Sequence, residues 1–150
     1  MDTKHIRLLQ NVPVFGGITA DNLALLLEQG NQQAFHQGEY LFREGDPAQM
    51  LYVLESGCVQ VLKQRKDQQC LLRRLESGDC LGEMALIDLF PRSASALAET
   101  DSNLLSLPPE ALMRLYQQDL EQFTLIQMNL ARELSRRLRH ANEKLFQHYL

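Results

Sequence analysis

The sequence predicts a mainly β fold with flanking helices: a jelly-roll-like β-barrel (double-stranded β-helix) behind N-terminal helices and ahead of a long C-terminal helix. Three observations predict it. From Gln33 to Leu107 short apolar runs alternate with glycine-bearing turns, at the spacing of an all-β barrel. The first thirty residues carry apolar side chains at helical spacing. The C-terminal segment carries one apolar stripe at steps of three and four, too long to be spent on a small barrel alone.

The chain has 150 residues, of which 45% are hydrophobic, enough for one domain with a real core and little more. The expected organisation is a single domain, 1–150: a helical segment 1–30, a barrel 31–107 and C-terminal helices 108–150. A formal net charge of −4 gives no general attraction to nucleic acid, and no local basic patch stands out against it. No signal-peptide core or bilayer-length apolar run is present, so a cytoplasmic protein with no membrane partner is expected. Cys58, Cys70 and Cys80 match no metal or redox spacing and read as free thiols.

In order, Thr3 to Gln10 holds Ile6, Leu8 and Leu9 in an amphipathic turn that Pro13 ends. Thr19 is the N-cap of a second helix, with Leu23, Leu26 and Leu27 on one face and Gly30 closing it. Gly38-Glu39 leads into Tyr40–Phe42, and Glu44-Gly45-Asp46-Pro47 turns the chain into Met50–Leu54. Ser56-Gly57 makes the hairpin into Val59–Leu62, and Cys70–Leu75 follows a charged loop. Ala94–Ala98 and Leu104–Leu107 supply the last strands before Pro108-Pro109 stops the sheet and permits a helix at Glu110–Tyr116. Asp119 then opens a helix over 119–148, whose stripe is Phe123, Ile126, Leu130, Leu134, Leu138, Ala141 and Leu145. Glu133 and Arg137 form a favourable i,i+4 pair there, and the mixed charges beside the stripe read as a solvated face.

The densest chemistry lies in Gly82-Glu83-Met84-Ala85-Leu86-Ile87-Asp88-Leu89-Phe90-Pro91-Arg92-Ser93-Ala94. A short helix starting at Glu83 presents unpaired N–H groups and the positive end of its dipole to one point, which suits an anion. Gly82 leaves room for close approach, Arg92 offers two parallel donors to phosphate, and the N–H and hydroxyl of Ser93 sit beside it. Glu83 repels phosphate and fits only a hydrogen-bond donor such as a ribose hydroxyl. Phosphate and ribose on one ligand describe a nucleotide.

This run resembles the phosphate-binding cassette of cyclic-nucleotide-binding domains. The family includes bacterial catabolite-activator-type regulators, regulatory subunits of cyclic-AMP-dependent kinase and cyclic-nucleotide-gated channels. The resemblance rests on Gly82-Glu83-Met84-Ala85-Leu86 and Arg92-Ser93-Ala94 with Pro91 before the arginine, and the turn glycines Gly45, Gly57, Gly78 and Gly82 extend it along most of the chain. It implies a sensor that binds a 3′,5′-cyclic purine mononucleotide, cyclic AMP favoured over cyclic GMP, with no cofactor, no metal and no catalysis. Glu83 is then expected to accept from the ribose 2′-hydroxyl, Arg92 to neutralise the cyclic phosphate and Ser93 to hold phosphate or purine. Gly82, Met84, Ala85 and Ala94 complete the cassette. The same alignment puts Val61 and Leu72 on the apolar side of the purine pocket, or simply in the core, and Ala141 and Asn142 where a related regulator has hydroxyl residues facing the purine. Asn142 can serve either base, since its amide both donates and accepts.

The long helix resembles the family's connecting helix, which implies a homodimer through 119–148 and a possible protein partner. The family's transcription factors continue into a helix-turn-helix domain, and nothing in this chain supplies a recognition helix. The chain is therefore expected to bind no nucleic acid by itself, as a stand-alone sensor or as a larger regulator cut at the domain boundary, the former favoured. Two alternatives stand beside it: a related-fold sensor of haem or another small anion, and a degenerate interaction domain with no nucleotide. A metal-dependent jelly-roll enzyme needs clustered ligands, and the barrel segment has one histidine, His36.

Overall fold

A computed structural model describes residues 3–83 and 90–149. Two short helices, α1 (Thr3–Gln10) and α2 (Ala20–Leu27), flank a 3-10 turn at Pro13–Phe15. Eight strands follow among the described residues: β1 (Asn31–Phe35), β2 (Tyr40–Phe42), β3 (Leu51–Ser56), β4 (Val59–Arg65), β5 (Gln68–Leu75), β6 (Cys80–Leu81), β7 (Ser95–Ala98) and β8 (Ser102–Leu107). Helices α3 (Pro109–Gln118) and α4 (Leu120–His148) end the chain. The strands form two antiparallel four-stranded sheets, ordered β1-β8-β3-β6 and β2-β7-β4-β5, which is the expected jelly-roll arrangement. The edge strands β1 and β6 are not marked as separate strands in the sequence, since β1 begins in polar Asn31-Gln32-Gln33 and β6 is only two residues long.

Strand β3 shows why the barrel needs its helices. Leu51, Tyr52, Val53 and Leu54 are all buried, because the two faces of this strand meet different cores. Leu51 and Val53 join Leu105 and Leu107 of β8 against the helices, in a cluster with Leu9, Phe15, Leu23, Leu26, Leu115, Ile126 and Leu130. Tyr52 and Leu54 point the other way, into a barrel core with Val59, Leu75, Leu81, Ala96 and Leu104.

The caps behave as the sequence suggests. Thr19 accepts from the Asn22 amide at 3.3 Å, and Asp119 accepts from the Gln122 amide at 3.2 Å. Asn22 also donates to Asp119 at 3.1 Å, which ties the starts of α2 and α4 together. Asn129 fixes the middle of α4 by donating to the carbonyls of Val14 at 3.1 Å and Gly16 at 2.8 Å. The apolar stripe divides at that anchor. Ile126 and Leu130 are buried, whereas Leu138 and Leu145 are 63% and 56% exposed, so only the first half of the stripe is used inside the chain.

Candidate functional site

The barrel mouth holds a cavity of about 260 Å³ between β2, β4, β5, β6 and the segment 90–94, with α4 across one side. Its lining includes Gly82, Glu83, Arg92, Ser93, Ala94 and Val61, six of the ten residues singled out in the sequence. Met84 and Ala85, and the helical turn expected to start at Glu83, lie outside the described residues.

Arg92 is held from both sides. Its main chain is knitted to the loop before β3: the Arg92 amide donates to the Asp46 carbonyl at 2.8 Å, and the Gly45 amide donates back to the Arg92 carbonyl at 2.9 Å. Its guanidinium stacks 4.1 Å from the centre of the Phe42 ring and donates from Nη2 to the Met50 carbonyl at 2.8 Å. Arg92 is only 8% exposed, and among the described residues its buried Nε has no acceptor. Desolvation pulls its pKa below the usual arginine value, yet an arginine so placed stays charged. The guanidinium thus stands in the cavity wall as a fixed, half-desolvated positive charge.

Gly82 is what lets that cation lie so close. It has φ of +82°, and a Cβ on it would meet Arg92 Nη1 at 2.5 Å and the Met50 carbonyl at 2.7 Å. Glu83 follows on the same turn and is 2% exposed. Its counter-ion is Arg137 of α4, which pairs with Glu83 Oε1 and lies 3.4 Å from Glu133 Oε1 on its own helix. Arg137 was expected on a solvated face; the i,i+4 pair with Glu133 is present, but the guanidinium turns inward and its side chain is 31% exposed. Desolvation and then the nearby Arg73 charge lower its pKa. The buried Cys80 thiol, pushed up to about 11 by burial, lies 3.8 Å from Glu83 Oε2. Among the described residues, no group of three or more metal-ligating side chains occurs.

The other site residues divide. Ser93 is exposed, and its carbonyl accepts from Lys63 at 2.6 Å, which fixes the Ser93–Ala94 peptide. Val61 and Ala94 line the apolar wall. Leu72 does not: it is 53% exposed, because the register pairs Val61 with Arg73 and a bulge between Val61 and Leu62 leaves Leu72 on the other face. The wall position expected for Leu72 belongs to Arg73. Asn142 is exposed on the far half of α4 and is not among the residues lining the cavity. Sequence reasoning missed Arg137 and Arg73. The signal for Arg73 was period-2 counting from Leu75 along β5; for Arg137 no local signal exists, since its partner is 54 residues away.

The family model for the cyclic nucleotide-binding domain matches residues 32–119. The chain belongs to this family. It is 35% identical over 138 residues to a cyclic AMP receptor protein of Thermus thermophilus, covering 91% of this chain and 62% of that protein. It is 32% identical over 107 residues to a cAMP-dependent protein kinase regulatory subunit of Pyricularia oryzae, covering 71% of this chain and 27% of that one. The crystal structure of the Thermus thermophilus catabolite activator protein superposes with a TM-score of 0.77 at 36% identity, over 89% of this chain and 61% of that chain. The chain thus spans about six-tenths or less of the length of these relatives. The family's other members named here are regulatory proteins.

Proposed function

We propose that the cavity binds a 3′,5′-cyclic purine mononucleotide and that the chain is a sensor rather than an enzyme. The observation that carries this is the pair of buried opposite charges in one cavity wall, Arg92 and Glu83, each held by its own partner and not by the other. Two such groups side by side match a ligand that is anionic at one end and hydroxylated next to it. Arg92 takes the phosphate oxygens, aided by the Ser93 amide, and Glu83 accepts from the ribose 2′-hydroxyl. Val61 and Ala94 give the purine an apolar wall. Similarity to a cyclic AMP receptor protein and to a cAMP-dependent kinase subunit favours cyclic AMP as a ligand.

The output runs through α4. Its Arg137 touches Glu83, so ligand contact at Glu83 bears directly on the pose of the helix. Beyond it, Leu138, Leu145, Phe146 and Tyr149 are between 56% and 79% exposed, which suits a homodimer or a protein partner along the helix. Asn142 on this segment comes near a base only through such an assembly or a shift of the helix. The whole chain acts as one domain that binds no DNA alone, and among the described residues no helix is long and apolar enough to cross a membrane.

Titration calorimetry with cyclic AMP, cyclic GMP and linear 5′-AMP tests the reading. The two cyclic nucleotides should bind, with 5′-AMP at least tenfold weaker. Equal binding of the linear and cyclic forms, or no heat from any of them, would refute it.

A further inference from the structure

On the reading above, the Ser93 donors beside Arg92 need a fixed aim, and contacts outside the cavity set it. Ser93 lies between two peptides, and each is held by its carbonyl. The Arg92 carbonyl accepts from the Gly45 amide at 2.9 Å. The Ser93 carbonyl accepts from Lys63 Nζ at 2.6 Å. Because a peptide unit is rigid and planar, holding the planes on both sides of one residue fixes its φ and ψ, and with them the directions of its N–H and its Cβ. One of the two planes at Ser93 is thus set by the turn before β3, and the other by a side chain.

The sheet brings Lys63 to that place. Leu62 of β4 pairs with Ser95 of β7, so the next residue along β4 stands beside the end of the segment 90–94. The Lys63 ammonium also donates to Glu44 Oε1 at 2.9 Å. Glu44 is tied to the same segment, since its amide donates to the Ser95 hydroxyl at 2.8 Å. Lys63 therefore bridges the turn that carries Glu44 and Gly45 to the segment that carries Arg92 and Ser93. Its side chain is 52% exposed and that of Glu44 34%, so as an ion pair the two add little to stability. The bond to the Ser93 carbonyl is the contact with a consequence for the cavity.

We propose that Lys63 is a positioning residue for phosphate recognition: with Glu44 as its anchor, it aims the Ser93 amide and hydroxyl at the cyclic phosphate. A hydrogen bond weakens steeply as its donor swings off line, so releasing the Ser93–Ala94 plane weakens what Ser93 gives. The Arg92 guanidinium keeps its own supports, the Phe42 ring and the Met50 carbonyl, and is left in place. A cyclic phosphate has two exocyclic oxygens. Loss of Lys63 falls on the oxygen that Ser93 attends and spares the one that faces Arg92.

The test is titration of the full chain and its Lys63→Met, Lys63→Arg and Glu44→Gln variants with cyclic AMP and its two phosphorothioate diastereomers. Each diastereomer replaces one exocyclic oxygen by sulfur, a poorer acceptor, so one of them has already lost the contact to Ser93. Lys63→Met should weaken cyclic AMP and one diastereomer by about five- to tenfold and change the other by less than twofold. Lys63→Arg, which keeps the charge and the donors, should bind within threefold of the unmodified protein. Glu44→Gln should show the Lys63→Met pattern at smaller size, and the double variant should be no weaker than Lys63→Met alone. Melting temperatures check that each variant is folded. Equal losses for the two diastereomers, a loss that Lys63→Arg does not recover, or additive losses in the double variant overturn the role of Lys63 while leaving nucleotide binding intact. Failure of the unmodified protein to bind any of the three overturns the functional reading itself.

Discussion

Replacing Gly82 by alanine is the smallest change that reaches the centre of the site. Two penalties follow, and a second glycine separates them. The backbone at Gly82 has φ of +82°, a conformation that places a Cβ against the chain and costs about 1–2 kcal/mol for an L-residue. In addition, the new methyl would stand 2.7 Å from the Met50 carbonyl and 2.5 Å from Arg92 Nη1, so backbone or guanidinium has to move. Gly38, at φ of +87°, has the same backbone requirement, but a Cβ there meets nothing within 4 Å. Gly38→Ala should thus lose only the conformational part, a fall of about 2–8 °C in Tm for a domain of this size. Gly82→Ala should lose more, and should weaken cyclic AMP binding by at least tenfold, because Arg92 can no longer lie over Phe42 and donate to Met50. Differential scanning fluorimetry and calorimetry read both quantities. Equal Tm shifts for the two variants, with cyclic AMP affinity unchanged in Gly82→Ala, would refute the claim that Gly82 exists to admit Arg92.

Other consequences are open to measurement. Arg137→Met strands a charged Glu83 in a buried place and should destabilise the protein by about 1–3 kcal/mol, less than a fully buried pair because Arg137 is partly exposed; adding Glu83→Gln should recover much of the loss, and denaturant melts with no such recovery would contradict the pairing. If α4 carries the proposed homodimer, truncation after His140, which keeps Arg137 but removes Leu145, Phe146 and Tyr149, should weaken it in sedimentation while nucleotide binding persists in weakened form; an unchanged mass distribution would exclude the helix end as the interface. Burial raises the Cys80 thiol from 9.0 to about 11, which favours the neutral form in the folded state. Its contribution is therefore complete below pH 9 and lost as pH rises to 11, roughly 3 kcal/mol in all; Cys80→Ala should flatten the alkaline fall in stability, and an identical pH profile would count against it.

How much of this was legible in the sequence depends on the range of the interaction. Gly82, Glu83 and Arg92 were singled out together because they lie within eleven residues of one another, and the structure places all three in the wall of one cavity. The caps at Thr19 and Asp119 were legible for the same reason. Leu72 went astray because one bulge in the β4–β5 pair decides which face a strand residue shows, and nothing in Cys70–Leu75 marks it. Arg137 looked solvated because mixed charges on a helix ordinarily are, while its inward turn is set by Glu83 of a distant strand end. The stripe on α4 was correctly periodic, but periodicity does not say where a helix leaves its own core, which the Asn129 contacts to Val14 and Gly16 determine.

The most direct test of the central claim is the affinity of cyclic AMP for Arg92→Ala beside Glu83→Ala, each confirmed folded by its Tm. If Arg92 holds the cyclic phosphate, its loss leaves a desolvated anion without a counter-charge, whereas loss of Glu83 removes one hydrogen bond to a hydroxyl. Arg92→Ala should weaken binding by about a hundredfold or more and exceed the effect of Glu83→Ala. Binding by Arg92→Ala as tight as that of the unmodified protein would contradict the account.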